Sequence, residues 1–126
     1  MKKSTLSVII AVALVVMSVG GYSAFKKYEE HEDRMKEVAL LQSLWTMRRA
    51  IEFYRQDKSR PPESLQNLIS EGYLREIPAD PITKSNQTWV VEREKESAIP
   101  NSLPGVVGVR SGARGADRGG NPYNQY

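Results

Sequence analysis

The sequence predicts an α+β protein in which one long N-terminal helix, emerging from a membrane, packs on a small antiparallel sheet and is followed by an irregular C-terminal loop. Three observations predict it. Leu6 to Phe25 carries no charged residue; apolar side chains then recur at helical spacing as far as Tyr54, with no proline before Pro61; and two short stretches rich in branched and aromatic residues come later.

The charge-free segment comes first. Leu6, Val8, Ile9, Ile10, Val12, Leu14, Val15 and Val16 are large apolar residues within it. About 20 such positions, rising 1.5 Å each, cover the roughly 30 Å hydrocarbon core of a bilayer. A cleaved secretory signal is the alternative, since Lys2 and Lys3 precede the run and Gly20, Gly21, Ser23 and Ala24 lie near its end. The run is longer than the roughly 7–15 residues of a signal core, and a cut after Ala24 would put Tyr22 where a small residue is needed. Retention as an anchor is therefore expected, with residues 1–25 as tail and transmembrane helix and 26–126 as one small outer domain. Lys26 and Lys27 balance Lys2 and Lys3 across the segment, so flanking charge does not set its orientation.

Composition excludes several partners. The chain has 126 residues and a sequence pI of 9.2, but without Lys2 and Lys3 the 18 basic residues fall to nearly the 15 acidic ones. Such a near-neutral outer part steers no nucleic acid. There is no cysteine, and the single histidine, His31, stands in an acidic run with no companion for a metal cluster.

Beyond the anchor, Lys26 to Lys36 is polar on nearly every side and reads as a neck. Leu40, Leu44, Met47, Ile51 and Tyr54 then recur at steps of four and three, the buried face of a helix, with Leu41, Trp45 and Phe53 expected to widen it. From Leu6 to Lys58 such a helix would be about 80 Å long, and Gly20 and Gly21 mark the place for a bend or local melting. Pro61 and Pro62 end it. Glu63 to Ser70 is a second, short helix carrying Leu65, Leu68 and Ile69, with Gly72 as its left-handed C-terminal cap. Pro78 and Pro81 force Tyr73 to Pro81 into an extended, crossing path. Gln87 to Glu92 and Val106 to Ser111 are the two strands, joined across Arg93 to Pro104, and Trp89 is expected in the core. The glycines at 112, 115, 119 and 120 predict irregular structure from Ser111 to Tyr126.

These residues resemble a family. Arg49-Ala50-Ile51-Glu52-Phe53-Tyr54, Arg60-Pro61-Pro62-Glu63-Ser64-Leu65-Gln66-Asn67-Leu68 and Gly72-Tyr73-Leu74-Arg75-Glu76-Ile77-Pro78-Ala79-Asp80-Pro81-Ile82-Thr83 follow in order, Trp89-Val90 opens a strand, and Val109-Arg110-Ser111-Gly112-Ala113 and Gly120-Asn121-Pro122-Tyr123 close the chain with Tyr126. Their order and spacing resemble the major pseudopilin of type II secretion, in the type IV pilin superfamily. The resemblance implies a pilin-like fold and an anchored subunit of the bacterial inner membrane with its head in the periplasm. It also implies partners: the membrane, further copies of the chain, and other pseudopilins or secretion-machine components. Polymerisation would cover apolar side chains as the helix leaves the bilayer.

Two departures from the family pattern bear on function. Relatives carry a glycine, an aromatic residue and a glutamate around the processing site, where this chain has Lys3, Ser4 and Val8, a degenerate leader in which only Thr5-Leu6 match. A permanently anchored subunit, an assembling subunit with an unusual leader, and a drifted or differently bounded relative are all compatible with that. The family's C-terminal loop binds calcium; here Gly108 and Gly119-Gly120 replace acidic residues, leaving Asp117 as the one carboxylate, with Ser111 and carbonyls as its possible co-ligands. Calcium takes 6–8 oxygens, so the expectation is a weak site at best, or an Asp117 that is solvated or paired with Arg114 or Arg118.

No nucleophile and base are spaced for catalysis, so no enzyme is expected. Gly112 to Gly120 lacks the Gly-Lys-Ser/Thr ending of a phosphate loop and the aromatic interleaving of an RNA segment. The sequence thus points to a structural, interaction-based function, with a periplasmic binding module that reuses the head without forming a filament as the alternative.

Overall fold

The computed structural model describes residues 2–97 and 99–126; Ala98, within the expected Arg93–Pro104 connection, and the Lys2 side chain lie outside them. The described elements are helix α1 (Lys2–Lys58), helix α2 (Leu65–Ser70), strands β1 (Trp89–Arg93) and β2 (Val106–Ser111), and a short 3-10 turn at Tyr123–Gln125. The fold is a long helix with a small antiparallel sheet, mixed α and β as the sequence predicts.

The chain divides into two compact units, Met1–Met35 and Lys36–Tyr126. The first is helical wherever it is described. Helical assignment runs through Gly20 and Gly21, so neither melting nor a break occurs at the expected place, and a methyl group built on either glycine would meet nothing. A glycine in a helix costs about 1 kcal/mol relative to alanine, and the helix continues through both.

The second unit has a single core. Within it α1 contributes Leu40, Leu44, Met47, Ala50, Ile51 and Tyr54, and these meet Leu65, Leu68, Leu74, Trp89, Val106 and Val109. At about 100° per residue, Leu40, Leu44, Met47, Ile51 and Tyr54 fall within an arc of about 80°, which is why one helix face fills the core. Burying each large side chain contributes about 1.5–3 kcal/mol. Leu41, Trp45 and Phe53 do not widen this stripe as expected: they are exposed. Their angular positions put them far around the helix from the core arc, which the thin two-stranded sheet and short α2 do not reach.

α1 stops at Lys58 because Ser59 turns into the left-handed region (φ 54°) ahead of the two prolines. Gly72 adopts φ 83° and caps α2, with Gly72 N–H donating to the Ile69 carbonyl (3.1 Å) and Tyr73 N–H to that of Leu68 (2.7 Å). Strands β1 and β2 pair antiparallel, Trp89 opposite Ser111 and Val91 opposite Val109, with the register shifting between Glu92 and Arg93. β1 begins at Trp89, two residues later than predicted, since Ser85, Gln87 and Thr88 are engaged in a turn (Gln87 N–H to Ser85 Oγ 3.1 Å, Thr88 Oγ1 to the Ser85 carbonyl 3.3 Å). Arg48 fastens the sheet to α1 by donating from Nε and Nη2 to the Val109 carbonyl at 3.1 and 2.9 Å.

Candidate functional site

An apolar surface feature of the second unit lies on α1. Val38, Leu41, Trp45 and Arg49 fall within a second arc of about 80°, on the side of the helix away from the core. Val38, Leu41, Trp45 and Phe53 are 56%, 50%, 55% and 45% exposed, although a helix with one buried face needs no apolar residues on the other. Arg49 is part of the same face: its guanidinium carbon lies 5.0 Å from the ring centroids of both Trp45 and Phe53. Cations at this range are attracted by the ring quadrupole, so Arg49 bridges the two aromatics. Val38, Leu41, Trp45 and Arg49, with Gln42 and Arg48, line an open depression along the helix. The face is apolar, shallow and long, suited to another helix and not to a small molecule.

The anchor residues named from the sequence are placed without cover. Leu6, Val8, Ile9, Ile10, Val12, Leu14, Val15 and Val16 are between 52% and 64% exposed, and α1 is long and apolar enough to cross a membrane once. Each such large side chain left in water forfeits about 1.5–3 kcal/mol. The neck residues Lys26 to Met35 are exposed on every side as well.

The C-terminal loop is the second candidate. It is closed around the Asp117 carboxylate. Oδ1 accepts from the Asn121 backbone N–H at 2.8 Å, Oδ2 accepts from Asn121 Nδ2 at 3.0 Å, and the Tyr126 hydroxyl donates to Oδ2. Backbone bonds from Asp117 N–H to the Asn121 carbonyl (2.9 Å) and from Gly120 N–H to the Asp117 carbonyl (3.0 Å) complete the turn. The Asn121 and Tyr126 donors hold the Asp117 carboxyl down to about 2, and the same hydrogen bond pushes the Tyr126 phenol up to about 12. Arg118 is not the partner of Asp117 expected from the sequence. It reaches Glu37 of α1, donating from its backbone N–H (3.2 Å), Nε (3.4 Å) and Nη2 (3.4 Å).

These contacts answer whether calcium suits the loop. Calcium needs oxygen ligands, whereas both Asp117 oxygens face N–H and O–H donors. Ser111, the expected co-ligand, is fully buried, and its hydroxyl donates to Asp80 Oδ2 at 2.5 Å. Among the described residues no three His, Asp or Glu side chains converge as a metal group. The residues present do not fit the ion.

Asp80 is the residue that sequence reasoning missed. It is fully buried; Oδ1 accepts from Ile82 N–H (2.8 Å) and Thr83 N–H (3.4 Å), and Oδ2 from Ser111, whose Oγ in turn accepts from Ala113 N–H (3.0 Å). It ties the crossing segment to the end of β2. An Asp immediately before a proline, with a Thr at the third position after the Asp, is the signal of such a side-chain-capped turn. Trp89 completes the same region, buried with its indole N–H donating to the Pro78 carbonyl at 2.7 Å.

Compared with known proteins, the chain matches no family model, no curated protein and no solved structure.

Proposed function

We propose that this chain is a membrane-anchored structural subunit of pseudopilin type, working through helix packing and protein–protein contacts in a type II secretion or related pilus-like machine. In this reading α1 holds the chain in the bacterial inner membrane by a single pass, and the unit Lys36–Tyr126 acts in the periplasm. The observation that carries it is the two-faced helix: one α1 face fills the core while the opposite one, Val38, Leu41, Trp45 and Phe53, remains exposed in a chain whose Leu6 to Phe25 segment is apolar all round. A helix of that kind is covered by other helices, and further copies of the same chain offer an identical surface in unlimited supply. Contacts that do not close on themselves then extend into a filament.

The chain contains no cysteine, so single introduced thiols report on neighbours cleanly. With a bis-maleimide crosslinker long enough to span the stagger between neighbouring helices, Leu41→Cys and Val8→Cys should each give crosslinked dimers in membranes, while Leu44→Cys, on the core face, should not. Monomers throughout, in cells where the secretion machinery is active, would remove the assembly reading and leave a non-assembling anchored module.

A further inference from the structure

The loop contacts carry a conclusion that does not depend on the assembly reading. We propose that the Asp117 carboxylate closes the C-terminal loop as an internal acceptor for Asn121 and Tyr126, doing without a divalent cation the work that a bound metal would do in a pseudopilin loop.

A bound cation organises a loop by drawing several oxygens toward one point. Here the common point is an anion, and the groups drawn toward it are donors: the Asn121 backbone N–H at 2.8 Å, its side-chain amide at 3.0 Å, and the Tyr126 hydroxyl. Both carboxylate oxygens are in use. A cation entering between them would have to displace those donors and would meet their positive ends. Hydrogen bonds to a charged acceptor are stronger than neutral ones, so the arrangement holds by itself. The glycines serve the same closure. Gly120 has φ 84° and Gly115 φ 95°, values that turn the chain tightly on either side of Asp117, and a methyl group at Gly119 would sit 3.2 Å from Asp117 Oδ1. Tyr123 N–H donates to the Gly115 carbonyl (3.1 Å), closing the loop's outer edge. Next to the clasp, Arg118 and Glu37 fix the loop to α1 with three bonds from one residue. The glycine at 119, where the resemblance implies an acidic residue, is then part of a different closure.

Limited trypsin digestion of the full-length chain in detergent micelles tests this, because cleavage after Arg118 requires the loop to open. Cleavage and the thermal midpoint should be the same in about 1 mM calcium, the weak end of extracellular calcium sites, and in excess EGTA. Tyr126→Phe, which removes one donor and leaves every oxygen ligand of the carboxylate in place, should speed cleavage after Arg118 by roughly three- to tenfold. Asp117→Asn should do the same or more. In a Trp45→Phe background, Trp89 fluorescence should stay native in both variants, which separates loop opening from failure to fold. Slower cleavage or a higher midpoint in calcium, reversed by EGTA and absent in Asp117→Asn, would overturn the proposal, and so would Tyr126→Phe cleaving at the wild-type rate. Neither result bears on whether copies of the chain assemble.

Discussion

Replacing Asp80 by alanine removes the acceptor of three donors at once, and its cost follows from their geometry. The Ser111 hydroxyl at 2.5 Å and the Ile82 N–H at 2.8 Å are well formed, while Thr83 N–H at 3.4 Å is long. A buried donor left without a partner costs about 1–3 kcal/mol, so two strong donors and one weak one give about 3–5 kcal/mol. A unit the size of Lys36–Tyr126 has about 5–14 kcal/mol of stability in all, so the loss is a large share of it. In urea titration of the full chain in micelles, followed by Trp89 emission in a Trp45→Phe background, the midpoint should fall by about 2 M, taking a slope of 1–3 kcal/mol per molar. Trp89 is the right reporter, being buried and hydrogen-bonded to Pro78 just before Asp80. Asp80→Asn keeps an acceptor for Ile82 and should lose only about 1–2 kcal/mol. In a double-mutant cycle, Asp80→Ala and Ser111→Ala should fall short of additivity by about 1 kcal/mol or more, since each removes the same bond. A midpoint for Asp80→Ala within about 1 kcal/mol of the parent, on the same scale, would refute the assignment of Asp80 as the anchor of the crossing segment.

Further outcomes follow from the same structure. Met47→Ala, at a fully buried position, should cost about 2–5 kcal/mol, whereas Trp45→Ala, more than half exposed, should leave the melting temperature nearly unchanged and weaken only crosslinking between copies. Gly112→Ala would place its methyl 2.2 Å from the Thr88 carbonyl oxygen, so the strand end must move, and calorimetry should show a loss of about 1–3 kcal/mol. The Asp117 carboxyl, held near 2 against an ordinary 3.8, contributes stability that is complete above about pH 4 and lost as pH falls toward 2; that stretch of the acid profile should vanish in Asp117→Asn. Tyr126, raised to about 12 from 10.0, acts in the opposite direction: its contribution is complete below about pH 10 and lost as pH rises to 12, and Tyr126→Phe should flatten that limb.

Much of the fold was legible because it is written in local periodicity. The steps of four and three from Leu40 to Tyr54 identified the core face of α1, the two prolines its end, Gly72 the cap of α2, and the branched residues from Val106 to Ser111 the second strand. Those signals depend on neighbours within a few positions, which a sequence displays directly. Leu41, Trp45 and Phe53 were misplaced for a related reason: periodicity reports that a helix has apolar residues, and a two-faced helix blurs the boundary between the face that folds and the face that binds. The angular separation of the two arcs was present in the numbering, but only the extent of the sheet determines how far around the helix the cover reaches.

The sequence by itself determined the membrane-length apolar segment, the long helix and the sheet, all properties of composition and short-range pattern. Tertiary structure alone decided what the polar groups of the head do. Asp80 meets Ser111 across 31 residues, Glu37 meets Arg118 across 81, and Asp117 meets Tyr126 around a glycine-rich turn. A carboxylate carries no mark of its future partner, since a metal, an arginine or a hydroxyl satisfies the same oxygens. The choice is made only when the folded backbone delivers one of them within hydrogen-bonding distance.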